Sequence, residues 1–225
     1  MSFASALQSI IAMRSEIVQA LWETFLMVGL STTCATLLGT VLGVLLFMTA
    51  NRQLHYNRPV NLVLDSVVNL MRAFPFVILM IAMIPATRAI VGITIGPVAA
   101  SLVLSVSGMF YFARLVEQNL REVPRGVIEA AISMGATPLA IIRKVLLNEA
   151  RAGMVSSITV LAIGLLSYSA AAGMIGGGGL GDLAIRYGYY RYQTEMIIFI
   201  VAILVLLVVL IQSLGTWIAH KLDKR

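Results

Sequence analysis

The sequence predicts an all-α, polytopic helical membrane protein: about five transmembrane helices and one cytoplasmic helix-turn-helix loop, in a single transmembrane domain, 1–225. Three observations lead there. Hydrophobic residues make up 60% of the chain and charged ones only 12%, with a mean hydropathy of +0.95. No soluble domain of this length needs that much apolar surface. Several apolar stretches approach or exceed the ~20 residues a helix needs to cross a bilayer, where the backbone must satisfy its own polar groups. Between them stands one polar island, 114–151, holding six of the sixteen Lys and Arg residues.

Taken in order, Met1 to Glu16 is a mildly amphipathic lead, with Ile10, Ile11 and Met13 among polar neighbours, expected at an interface. It has no basic n-region before its first apolar run, so no cleavable signal peptide is expected. The first span covers 18–49. Ser31, Ala35, Gly39 and Gly43 recur every four residues along it, and small side chains on one face let a second helix approach closely. The lone cysteine, Cys34, excludes an internal disulfide, and its apolar surroundings assign it to packing.

Arg52 and Arg58 mark a short loop before the second span, 62–85. That span contains Asp65 and Arg72, seven residues apart and therefore on one helical face. Charges within a membrane segment mark an interior path, a partner or the headgroup level. Arg72 lies early in the span, where its stem reaches the cytoplasmic surface by snorkelling; direct contact with a substrate is the alternative. Thr87 to Gly96 is an outer loop, and the third span is 97–113. Glu117 and Arg121 in the island form a favourable i,i+4 pair.

The fourth span, 154–175, is polar for a membrane helix, with Ser156, Ser157, Thr159, Ser167, Tyr168 and Ser169. Such hydroxyls bond back to their own helix or across to another. Gly176, Gly178 and Gly181 formally match G-x-G-x-x-G, but no strand precedes them and no Lys-Ser/Thr follows, so the run is a sharp turn. Tyr187, Tyr189, Tyr190 and Tyr192, with Arg186 and Arg191, read as an interfacial aromatic belt. The last span, 196–217, is almost uninterrupted Ile, Leu and Val and is expected to face lipid. A basic tail, 220–225, closes the chain.

Five spans place the two ends on opposite sides. With the tail inside, the cytoplasmic segments hold eleven Lys and Arg: Arg52, Arg58, the six of the island, Lys221, Lys224 and Arg225. The outer segments hold four, Arg14, Arg88, Arg186 and Arg191. That asymmetry predicts an external N-terminus and a cytoplasmic C-terminus. It also accounts for the net charge of +6 through topology rather than nucleic acid.

Within the island the local chemistry gives helix, break, helix. Pro124 and Gly126 interrupt what precedes, and 127–134 is a run of fair helix formers. Gly135 can take the positive φ that ends a helix. Thr137 offers an N-cap hydroxyl, and Pro138 suits the first helical position. Leu139, Ile142, Leu146 and Ala150 then share a face, with Arg143 and Lys144 beside it. Neither helix is long enough to be stable alone in water. The motif needs a surface to lie against.

Glu129-Ala130-Ala131, three residues, Gly135-Ala136, and an apolar segment through Leu146-Leu147-Asn148-Glu149-Ala150 resemble the EAA loop of ABC importer permeases. The longer string from Gly135-Ala136-Thr137-Pro138 to Arg143-Lys144-Val145-Leu146-Leu147 is similar to the methionine-uptake branch of that family. So are Arg72-Ala73-Phe74-Pro75-Phe76, Met83-Ile84-Pro85 and Gly178-Gly179-Leu180-Gly181. The likeness runs from about Val18 to Lys221. It departs at Asn148, where the family usually has Pro, which bears on the angle between the second coupling helix and the next span.

The resemblance implies a type I ABC importer permease fold in a bacterial inner membrane. It implies a homodimer, two cytoplasmic ATPase subunits and an external substrate-binding lipoprotein. Glu129, Ala130, Ala131, Gly135, Ala136, Thr137 and Pro138 would dock into a groove of the ATPase. The fourth span would line the translocation path, with Ser167, Tyr168, Ser169 and Ala171 narrowing it near the two-fold axis. Five spans are few to enclose a path alone, which suits two copies sharing one.

The expected function is therefore the membrane subunit of an ATP-driven importer of methionine or a related amino acid. The subunit itself is expected to be no enzyme and to hold no cofactor. It has no Walker motif, and His55 and His220 lie in separate loops without metal-site spacing. Import of another small solute is the alternative within the class. An ion-coupled transporter would call for ionisable groups at mid-membrane or discontinuous helices in repeated halves, and a channel for a filter or charged ring. The sequence displays neither set.

Overall fold

A computed structural model describes residues 11–50 and 56–223. The start of the amphipathic lead (1–10), the loop residues Arg52 and His55, and the tail residues Lys224 and Arg225 lie outside the described residues.

The first helix, α1 (Arg14–Thr49), has 36 residues and at ~1.5 Å per residue extends well beyond a hydrocarbon core of ~30 Å. Next comes α2 (Arg58–Ala73), whose N-terminus is capped by the Asn57 side chain accepting from the Val60 N–H at 3.3 Å. Two short helices follow, α3 (Phe76–Ala82) and α4 (Ile84–Val91). Residues 62–85, a single span by sequence, are thus divided among three helices. The reason is local. Phe74 (φ −71°, ψ 126°) and Pro75 (φ −61°, ψ 127°) are both extended, because a proline bars its predecessor from the helical region and itself lacks an N–H. A second proline, Pro85, opens α4.

After α5 (Pro97–Arg121) come α6 (Arg125–Ser133) and the three-residue turn α7 (Pro138–Ala140). A π-helical segment, Ile141–Leu146, and α8 (Leu147–Glu149) lead into α9 (Arg151–Gly173). Asn148 sits inside that run. Ala150 still donates to the Leu146 carbonyl at 2.9 Å and Met154 to that of Ala150 at 2.8 Å. The chain ends with α10 (Gly179–Leu183), a second π-helical segment, Ala184–Tyr189, and α11 (Thr194–Leu222). Among the described residues four helices, α1, α5, α9 and α11, are long and apolar enough to cross a membrane, and the bent pair α2–α3 makes five if it counts as one crossing.

The chain folds as two compact units, each taking part of every long helix. The first comprises 1–31, 75–105 and 162–211. Its core joins Ile17 and Ala20 of α1 to Leu180, Leu183, Tyr187, Met196 and Ile200. The glycine run 176–181 turns the chain here, and α1 caps the helix that follows. Glu23 Oε2 accepts from the Gly179 N–H at 2.7 Å, and Thr24 Oγ1 accepts from the Leu180 N–H at 2.9 Å. A carboxylate at a helix N-terminus both fills orphan donors and opposes the dipole. Tyr187 departs from the expected aromatic belt. It is buried in this core, whereas Tyr189, Tyr190 and Tyr192 are exposed. Its O–H donates to the Glu16 carboxylate at 2.6 Å. That hydrogen bond, and burial after it, raise its pKa above the ordinary tyrosine value, so the phenol remains a donor at neutral pH.

The second unit comprises 32–74, 106–161 and 212–225. Leu46 of α1, Val68 of α2 and Ala113 of α5 form its core cluster. The small-residue seam of α1 meets α5 in this unit. A Cβ added at Gly39 would lie 2.8 Å from the Met109 carbonyl oxygen, and one at Gly43 2.5 Å from that of Ala113. Only glycine lets the two backbones come so close. Ala35 on the same seam is fully buried. Cys34 is not part of it: the thiol is exposed on the subunit's surface, so its apolar neighbourhood in sequence is not a packing site in the single chain. The α11 helix is the least covered of the four, with 6% of its apolar window buried against 33–50% in the others. It presents its apolar side outward.

Candidate functional site

The island forms a reversal of two helices. Its first helix, α6, follows an extended Pro124 and ends in paired back-bonds. The Gly135 N–H donates to the Ile132 carbonyl at 2.9 Å and the Ala136 N–H to that of Ala131 at 3.1 Å. Gly135 has φ +77°. This is a Schellman closure, in which a left-handed residue after the helix lets two carbonyls find donors. Thr137 then starts the next helix: its Oγ1 accepts from the Ala140 N–H at 3.3 Å, with Pro138 in the first turn. Turn and cap therefore arise from the residues the sequence singles out, and no long-range contact is needed to explain them.

The side chains divide into two sets. Ala131, Ile141 and Leu146 are buried in the chain's own packing, at 3%, 1% and 0% exposure. Ala131 is consequently small for an intramolecular reason. Glu129, Ala130, Gly135, Thr137 and Pro138 are exposed, and Ala136 is half-buried. Around them Ile132, Met134 and Leu139 are 51%, 81% and 62% exposed. Large apolar side chains left open on a short reversal, rimmed by polar residues, are the signature of a contact surface.

In the fourth span, Ser167 and Tyr168 are exposed and Ala171 is half-buried, while Ser169 is buried at 2%. The Ser167 hydroxyl donates to the Ile163 carbonyl at 3.3 Å, and that of Ser169 to the Leu166 carbonyl at 2.7 Å. The Tyr168 ring stacks on Phe76, 4.9 Å between centroids with planes 10° apart. So Ser167, Tyr168 and Ala171 border one open surface of the first unit, and Ser169 points into its interior. Lower in α9, Ser157 accepts from the Asn119 side chain at 2.8 Å, the one cross-helix bond among the span's hydroxyls within the described residues.

A charged network in the second unit escapes sequence reasoning. Arg114 binds Asp65 at 2.6 Å and Glu117 at 2.6 Å, and also donates to Asn69 at 2.8 Å. Arg121 binds the other oxygen of Glu117 at 2.6 Å. The Glu117 side chain is only 3% exposed, and two guanidiniums satisfy it, as a buried carboxylate requires. Periodicity reveals the Glu117–Arg121 half. The Asp65–Arg114 half spans 49 positions, and no local pattern announces it. Arg72 takes no part; its guanidinium lies 5.9 Å from the centre of the Tyr111 ring. Among the described residues no cluster of His, Cys, Asp and Glu could hold a metal.

Comparisons with known proteins agree with this architecture. Residues 37–225 match the family described as the binding-protein-dependent transport system inner membrane component. The chain is 45% identical, over its whole length and that of its relative, to a probable D-methionine transport system permease protein of Vibrio cholerae. It is 44% identical to the methionine import system permease protein of Bacillus subtilis, over 80% of this chain and 82% of that one. Among solved structures, a chain of the MetNI methionine ABC transporter in an inward-facing conformation superposes with a TM-score of 0.93 at 41% identity, covering 95% of this chain and 99% of the other. An amino acid ABC transporter at 22% identity and a TM-score of 0.76 shares the fold. The chain belongs to the family of binding-protein-dependent transport system inner membrane components.

Proposed function

We propose that this chain is the inner-membrane permease of an ATP-driven methionine importer. The observation that carries the proposal is the full-length likeness, at 45% identity, to a D-methionine permease. Two copies share one path, two ATPase subunits hydrolyse ATP on the cytoplasmic side, and an external substrate-binding lipoprotein delivers the amino acid. The chain carries solute and coupling; the chemistry belongs to the ATPase. The reversal from Glu129 to Pro138 is the coupling element. Its exposed Ile132, Met134 and Leu139 offer apolar contact, and Glu129 a charge. Closing and opening of the ATPases move it, and the path alternates because that surface binds the two ATPase states with different free energy. Ser167, Tyr168 and Ala171 border the path, and Ser169 supports their helix from behind.

Growth tests the substrate. A bacterium that cannot make methionine and lacks its own importer should grow on limiting methionine once it receives this permease with its ATPase and binding protein. Absence of growth, with all three proteins present in the membrane fraction, would rule out methionine as the cargo.

Orientation follows from the eleven-to-four asymmetry of basic residues and an odd number of crossings, with α2–α3 as the broken one. Ser2 and Tyr189 are external; His55, Gly126 and Lys224 are cytoplasmic. Single cysteines at these positions, in a Cys34→Ala background, should react with a membrane-impermeant thiol reagent in intact cells only at 2 and 189. Labelling at 126 from outside would invert the topology.

A further inference from the structure

The geometry points to Arg72 as a substrate-contacting residue that receives the carboxylate of the amino acid at the break between α2 and α3. The inference rests on the importer function proposed above. Arg72 lies in the last turn of α2, just before the break in the bent pair α2–α3. Positions 72–75 are all exposed on the subunit, and Phe74 and Pro75 are non-helical. Non-helical backbone within a membrane crossing is tolerated only inside protein or along a water-filled cavity. In transporters, discontinuous helices are where solute is bound.

The charge points the same way. An arginine remains protonated and is costly within a membrane unless something answers it. The polar groups nearest on its own helix face, Asp65 and Asn69, are both engaged by Arg114, and Glu117 is shared by Arg114 and Arg121. Among the described residues no carboxylate pairs with Arg72. Its guanidinium lies over the Tyr111 ring, which steadies it without consuming any of its N–H donors. What remains is a planar fork of donors, matched to a carboxylate. Every amino acid presents one. A lipid phosphate has the same chemistry, and the second arm of the test separates the two sources.

The test uses the assembled transporter, permease with ATPase and binding protein, in proteoliposomes. With loaded binding protein in excess, Arg72→Gln should slow methionine uptake by roughly tenfold or more, the scale of one lost charge-assisted bond pair. Arg72→Lys, which keeps the charge but not the fork, should recover part of that loss. The second arm places a reporter beside the site, Ala73→Cys in a Cys34→Ala background, and follows its reaction with a charged methanethiosulfonate. Methionine should slow that reaction, and Arg72→Gln should abolish the protection. Uptake by Arg72→Gln at the parent rate overturns the assignment. So does labelling at position 73 that ignores methionine, the result for an arginine anchored to lipid phosphate. Should Arg72→Gln fail to co-purify with the ATPase, Arg72→Lys and the protection measured with Arg72 intact decide the matter. If the parent transporter itself takes up no methionine, the importer proposal falls, and this inference with it.

Discussion

Gly135→Val is expected to uncouple the transporter: the permease still inserts and dimerises, but ATP-dependent uptake is lost and the ATPase no longer co-purifies or no longer drives transport. Gly135 has φ +77°, and a Cβ there meets nothing within 4 Å. Inside the subunit the substitution thus adds no clash, only the left-handed backbone penalty of roughly 1–2 kcal/mol for a side chain in that region. A penalty of that size does not unfold a membrane bundle. It is enough to undo a reversal held by two carbonyl closures, and with it the presentation of Ile132, Met134 and Leu139. Gly135→Asn, which tolerates the same conformation, should retain coupling. The pair separates backbone geometry from side-chain bulk. Glu129→Ala supplies a further contrast, since the helix dipole alone accounts for only ~0.3–1 kcal/mol; a large loss of coupling there would mark a direct contact with the ATPase. If Gly135→Val co-purifies with the ATPase and transports like the parent, the reversal is not the coupling element.

Ala171→Trp is expected to stop uptake while leaving assembly intact. Ala171 is half-buried beside the exposed Ser167 and Tyr168, and Tyr168 is already braced against Phe76. An indole, which carries on the order of 150–250 Å² of surface, has nowhere to go but into the space those side chains border. Ser169→Ala provides the opposite case. That hydroxyl is buried and bonded to its own helix, so its loss should cost little transport. Uptake by Ala171→Trp equal to the parent, at equal expression, would remove this face from the path.

Much of this molecule was legible because its signals are local. Apolar runs, the turn chemistry of Gly135, Thr137 and Pro138, and the four-residue repeat ending at Gly39 and Gly43 each act within a few residues. Each reappears as a helix, a Schellman closure or a close helix contact. Two features of the candidate site were hidden. Residues 62–85 are apolar enough to pass as one helix, and composition masks the break. The Phe74-Pro75 pair was the available sign, since a residue before proline leaves the helical region. The Asp65–Arg114 bridge had no such sign, because charge pairs distant in sequence are set by how α2 packs on α5. Ala131 is buried within its own subunit, and that packing by itself calls for a small side chain there.

The central claim is that ATP drives methionine through this subunit. Its most direct measurement is uptake of labelled methionine into proteoliposomes holding the permease and ATPase, with the loaded binding protein outside and ATP enclosed. Accumulation should require hydrolysable ATP and all three proteins, and should persist when ionophores collapse every ion gradient. Accumulation without ATP that vanishes with the ion gradient would instead make this chain an ion-coupled transporter.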